Sequence, residues 1–211
     1  MSKHLVWDWN GTLLDDLGLV VEATNVSLAS AGGSAVTADE HRRDFRRPIS
    51  DYYSFVLGRP VDEAEFVLLD GVFHEAYNTR LTACSLAADA QTALGAWGGT
   101  QSLLSMWFHT ELVPTVERYG LTGRFARVDG LRATIGGGPK APHLAEHLAA
   151  LGVAGSECVL IGDSVDDAIA AEAVGASIIL YAGGFTDVAR LEAVGVPVAH
   201  SLAEAVTLAG R

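Results

Sequence analysis

The chain has little cysteine, little positive charge and no long apolar run, and each shortage narrows what it can be. Cys84 and Cys158 are the only thiols in 211 residues and lie far apart, which excludes a disulfide framework and fits a reducing cytoplasm. Lys and Arg total 14 against 26 Asp and Glu, a formal net charge of −12, so no broad basic face is available to grip a nucleic-acid backbone. A membrane helix needs about 18 or more consecutive apolar residues. No such run occurs, nor does a leader-like stretch precede the first apolar segment, so neither membrane nor nucleic acid is an expected partner and a cytoplasmic location is expected.

Hydrophobic residues make up 49% and charged residues 19%, the balance of a folded globular chain. The most informative stretch runs from His4 to Asp16. Leu5, Val6 and Trp7 read as a short buried strand with Asp8 at its C-terminal end; Gly11 and Thr12 then break the pattern before Leu13 and Leu14 resume it. From Leu17 to about Thr82 the sequence reads as helices: Leu17 to Ala31, a second beginning near the cap residue Thr37, and a third from Asp62 to Arg80. Beyond that, helix and strand alternate. The spacing predicts a helix from Ser85 through Leu94, strands at Gln101–Ser105, Phe125–Val128, Cys158–Ile161 and Ser177–Tyr181, and a marginal edge strand at Val196–Ala199. Alternation of this kind implies βαβ crossovers and a parallel sheet.

Three further stretches carry chemistry. Ser105 ends the apolar pair Leu103–Leu104; Lys140 follows Gly136, Gly137 and Gly138 without the Gly-Lys-Ser/Thr ending of a phosphate-cradling loop; and the apolar run from Cys158 ends in Gly162–Asp163, with Asp166 and Asp167 close behind. Three acids within five residues repel one another unless a cation compensates them, and magnesium suits hard oxygen donors of this kind.

Taken in order, these stretches resemble the four motifs of the haloacid dehalogenase superfamily, in its phosphoglycolate phosphatase and β-phosphoglucomutase-like branch. The resemblance implies an α/β fold: a Rossmann-like parallel sheet with helices on both faces, residues 1–16 and 84–211 forming the core and 17–83 an inserted helical cap. It also implies Mg2+-dependent hydrolysis of a small phosphate monoester through an aspartyl-phosphate, by a monomer or homodimer. Asp8 would be the nucleophile, Ser105 and Lys140 would contact the transferring phosphoryl group beside Gly11, and Thr12 and Asp167 would complete the catalytic set. The implied metal ligands are the Asp8 side chain, the Asn10 backbone carbonyl and Asp163, with Asp167 holding Lys140. A cap loop over the site would place Arg46 or Arg47, from the basic run His41–Pro48, against an anionic part of the substrate.

Asn10 departs from the pattern. The family's phosphatases carry an aspartate there that protonates the leaving oxygen and later activates water, work worth about 10²–10⁴-fold in rate. Its replacement predicts slow or leaving-group-selective hydrolysis, and leaves two alternatives: a catalytically weakened protein that binds phosphorylated metabolites, or a phosphonate or carbon–halogen hydrolase. The absence of any lysine between Lys3 and Lys140 speaks against Schiff-base phosphonate chemistry, and the retained acidic cluster against dehalogenation.

Overall fold

The computed structural model describes residues 3–133 and 135–211. Its centre is a six-stranded sheet of β1 (His4–Trp7), β4 (Gln101–Phe108), β5 (Val128–Leu131), β6 (Cys158–Gly162), β7 (Ser177–Tyr181) and β8 (Val198–Ala199). The spatial order is β5-β4-β1-β6-β7-β8 and every pairing is parallel. A small antiparallel pair, β2 (Leu14–Asp15) with β3 (Ser85–Leu86), lies outside it.

β1 sits at the centre because both of its faces are apolar. Leu5 and Trp7 enter one core with Leu103, Val159 and Ile161, while Val6 enters the opposite core with Leu104 and Leu160. That alternation is the two-residue period of a strand buried on both sides. Helices cover the two faces: α5 (Ala90–Ala96), α6 (His109–Arg118), α7 (Ala141–Leu151), α8 (Val165–Val174), α9 (Val188–Glu192) and α10 (Leu202–Ala209).

Between β2 and β3 the chain is helical, through α1 (Leu17–Ser30), α2 (Ala38–Asp44), α3 (Ile49–Leu57) and α4 (Glu63–Arg80). Thr37 caps α2 in a reciprocal capping box with Glu40, and Asp62 caps α4 by accepting from the Glu65 N–H. This segment has its own small core of Leu28, Tyr53, Phe66 and Leu69.

Three sequence expectations shift. Ser85–Leu86 is a strand paired with Leu14–Asp15, and the helix expected from Ser85 begins only at Ala90. β4 continues three residues past Ser105, to Phe108. The strand expected at Phe125–Val128 starts at Val128, because Phe125 is used as a core side chain and not in the ladder.

Candidate active site

The sheet's C-terminal edge collects the acids. The Asp8 N–H continues the ladder of β1 by donating to the Ile161 carbonyl at 2.9 Å, which fixes this carboxylate beside the end of β6. Asp163 follows β6 directly, and Asp167 lies in the first turn of α8, in a capping box with Ser164. All three are buried, and one oxygen from each lies within 4.8 Å of the others.

Lys140, 2% exposed at the N-cap of α7, reaches into this cluster: Nζ is 2.5 Å from Asp8 Oδ1 and 2.5 Å from Asp167 Oδ1. Burial opposes its charge, yet the two carboxylates hold its pKa above the ordinary lysine value. For Asp167 burial pushes upward, and Lys140 with the Ser164 donors outweighs it, leaving the carboxyl below its usual range. Asp8 is pushed up to about 6 by burial, against the pull of Lys140. Asp163 is pushed well up by burial and by Asp8 and Asp167, against the Phe185 N–H at 2.6 Å and the Thr12 hydroxyl at 3.0 Å, which donate to it.

Of the three buried carboxylates, Asp8 and Asp167 share the one ammonium, and Asp163 has none in contact among the described residues. The donor set is hard oxygen throughout and short of positive charge, and this fits a magnesium ion held by Asp8 and Asp163. Gly11, with φ +73°, comes so close that a Cβ there would lie 2.6 Å from Asp163 Oδ2. A Cβ on Gly184 would lie only 2.1 Å from the same oxygen.

Asn10 lines the same cavity as Asp8, Ser105, Lys140, Asp163 and Asp167. Both hydrogens of its amide nitrogen are committed. Nδ2 donates to Asp16 Oδ2 at 2.8 Å and to the Tyr77 hydroxyl at 2.9 Å, while Oδ1 accepts from Ser105 Oγ at 3.1 Å. Asp16 is itself buried and also accepts from the Gly11 N–H at 2.8 Å and the Tyr77 hydroxyl at 2.6 Å. Burial raises its pKa to about 6, against these three donors.

The structure thus brings together Asp8, Asn10, Gly11, Thr12, Ser105, Lys140, Asp163 and Asp167. Arg47 lines the cavity and donates to the Gly138 carbonyl at 3.1 Å, with Asp166 at 3.8 Å. Arg46 lies apart: its guanidinium stacks 4.1 Å over the Phe55 ring and donates to the Asp44 carbonyl. Sequence reasoning missed Asp16, Tyr77 and the Gly184–Phe185 turn. The glycine pair after β7 was an available signal for the turn; Tyr77 reads only as a packing residue of α4.

A family model described as HAD-hydrolase-like matches residues 135–205, the stretch that holds Lys140 and the Asp163–Asp167 acids. No curated protein matches the chain in sequence. Among solved structures it is similar to one named a predicted phosphatase from Clostridium acetobutylicum, at 15% identity and TM-score 0.84 over 99% of this chain and 98% of that one. A haloacid dehalogenase-like family hydrolase from Streptococcus pneumoniae is 16% identical with TM-score 0.81, each chain covered to 98%. One named a predicted phosphoglycolate phosphatase from Haemophilus somnus is 17% identical with TM-score 0.74, over 98% of this chain and 97% of that one. The chain has the fold of the haloacid dehalogenase-like hydrolases over nearly its whole length, an α/β Rossmann-like sheet with a helical segment between β2 and β3.

Proposed function

We propose that the protein is a cytoplasmic, magnesium-dependent phosphohydrolase that cleaves a small phosphate monoester through an aspartyl-phosphate on Asp8. The observation that carries this reading is the Lys140 ammonium held 2.5 Å from both Asp8 and Asp167, inside an acidic cluster at the C-terminal edge of a parallel sheet.

Asp8 is the attacking group: a carboxylate oxygen adds to phosphorus as the bond to the leaving oxygen breaks. Lys140 balances the negative charge of the nucleophile and the phosphoryl oxygens, and Asp167 keeps the ammonium in place. Gly11 and Ser105 border the position of the transferring group, and Thr12 orients Asp163 through its hydroxyl. Asp8, Asp163 and the Asn10 backbone carbonyl would hold a magnesium ion, which would supply the positive charge that the three acids lack. Water then attacks phosphorus, the bond to Asp8 breaks, and the free carboxylate and inorganic phosphate result. The helices between β2 and β3 act as a cap that carries Arg47 to the cavity and limits entry of water.

Phosphate release from a panel of phosphate esters with magnesium tests this. Wild type turns over at least one of them and Asp8→Asn none; turnover that survives in Asp8→Asn refutes the assignment. A second reading, a phosphometabolite-binding protein with little turnover, is favoured by the committed Asn10 amide hydrogens, and would hold if wild type binds phosphate and magnesium while releasing none.

A further inference from the structure

Next to the catalytic cavity lies a second one of about 110 Å³. The two share Asn10, Phe45, Arg47, Met106 and Phe185 as walls, so a phosphoryl group in the first projects its substituent into the second. The rest of the second cavity is contributed by the helical segment, by Trp107 of β4 and by Gly136–Gly137 after β5, and is dominated by rings, among them Tyr52, Phe73, Tyr77 and Trp107. An apolar protein cavity of ~150 Å³ accepts one benzene ring. The volume here is of that order.

The charged walls are already engaged. Arg47 is held by Gly138 and Asp166, and Asp70 Oδ2 accepts from the Gly136 N–H with Oδ1 3.3 Å from His74 Nε2. Among the described residues three buried ring nitrogens on this wall, His41 Nε2, His74 Nδ1 and Trp107 Nε1, have no partner and can each meet one polar atom such as a ring hydroxyl. A polyhydroxylated or carboxylated substituent exceeds that supply, at a cost of roughly 1–3 kcal/mol for each group left unpaired. A single aromatic ring loses little.

Asn10 points to the same class from the other end of the scissile bond. It has no proton to transfer, and both of its amide hydrogens are committed to Asp16 and Tyr77. A leaving oxygen at this site departs unprotonated. A phenol ionises near pH ~10 and an aliphatic alcohol near that of water, about 16, so only the former departs readily on its own.

We propose that the substrates are phosphate monoesters of single-ring phenols, the ring seated in the cavity between the helical segment and β4 and the oxygen leaving as phenolate. The inference rests on the phosphohydrolase reading above. In the step it describes, an Asp8 oxygen bonds to phosphorus, the phosphorus–aryl-oxygen bond breaks with its electron pair on oxygen, and the phenolate takes a proton from solvent after release.

Four phosphates separate the two requirements: phenyl phosphate has the ring and the stable leaving group, cyclohexyl phosphate the ring shape alone, acetyl phosphate the leaving group alone, and ethyl phosphate neither. Phenyl phosphate is expected to exceed cyclohexyl phosphate in kcat/KM by about 10² or more, and to show a KM at least ~10-fold below that of acetyl phosphate. Thr24→Trp, or Val20→Phe should that variant not fold, narrows the cavity and raises KM for phenyl phosphate by about 10-fold. Equal kcat/KM for phenyl and cyclohexyl phosphate, or an unchanged KM in a folded cavity variant, overturn the inference. Turnover of acetyl phosphate, or of any ester of the wider panel, without phenyl phosphate overturns it while leaving the phosphohydrolase reading intact; no turnover of any of the four or of the panel overturns both.

Discussion

Asn10 donates an amide hydrogen to the buried carboxylate of Asp16, 2.8 Å away. An aspartate at position 10 would face that carboxylate as a second negative charge in a site that already disfavours the first. Asn10→Asp alone is therefore expected to destabilise the fold by at least ~2 kcal/mol, about 4–8 °C in Tm for a chain of this size. It should not simply restore acid–base catalysis. Asn10→Asp combined with Asp16→Asn exchanges amide and carboxylate and should recover most of the loss, read by thermal unfolding. Only the double variant should gain turnover of alkyl phosphates. A single variant as stable as wild type would mean that the pair carries no electrostatic coupling.

The same residue predicts unusual kinetics. Asn10 gives no base to the water that must cleave the aspartyl-phosphate, so the second step lags the first. Rapid mixing with 4-nitrophenyl phosphate should release about one nitrophenolate per active site in a burst, followed by slow steady turnover. A linear time course from the first turnover would place the slow step at phosphorylation of Asp8.

Magnesium should stabilise the folded chain, since among the described residues Lys140 is the one cation in contact with the acid cluster. Wild type in excess magnesium is expected to melt higher than in chelator, by up to about 2.7 kcal/mol at a hundredfold excess over Kd. Asp163→Asn should remove that increment. Lys140→Met, which strips the buried acids of that ammonium, should cost roughly 3–5 kcal/mol without metal and regain part of it when magnesium is added.

His41 is buried among Phe45, Tyr52 and Phe185, with Nδ1 2.8 Å from the Tyr52 hydroxyl, and burial, with a contribution from Arg42, lowers its pKa to about 4. The unfolded chain binds this proton more readily than the folded one. The stabilising difference is therefore complete above pH 6.5 and lost as pH falls toward 4. Its size is about 3 kcal/mol. His41→Asn, which keeps a partner for Tyr52 but cannot titrate, should lose less stability than wild type between pH 7 and pH 4.5 in denaturant melts.

Gly184→Ala should damage the site out of proportion to its size. The added Cβ would overlap Asp163 at 2.1 Å, so the carboxylate must move. Weaker magnesium stabilisation with a largely retained fold is the expected result, measured by the same melts with and without metal.

What could be read from the sequence follows from how local the determinants are. β1 and β6 are buried runs on both faces, and their acids sit at the ends where a parallel sheet exposes ligands, so Asp8 and Asp163 declare themselves. β5 does not, because Val128–Asp129–Gly130–Leu131 has no apolar period and its Asp129 is drawn in to bond His147, Nδ1 to Oδ2 at 2.7 Å. α3 is hidden because it begins immediately after a run of charges. Asp16 and Tyr77 were invisible for a different reason: their partnership spans 61 residues and is made only when α4 folds back beside the end of β2.

The central position of β1 also sets the order in which the molecule can be assembled. Its neighbours are β4 and β6, so β1 is synthesised well before its partners near residues 101 and 158, and Leu5, Val6 and Trp7 lack one or both ladder neighbours until the chain has passed Cys158. Release of the chain before Cys158 would leave one edge of β1 bare and Asp8 without its β6 neighbours. Nascent chains of this protein should therefore depend on chaperones through most of synthesis, and C-terminal truncations should aggregate instead of forming smaller native domains.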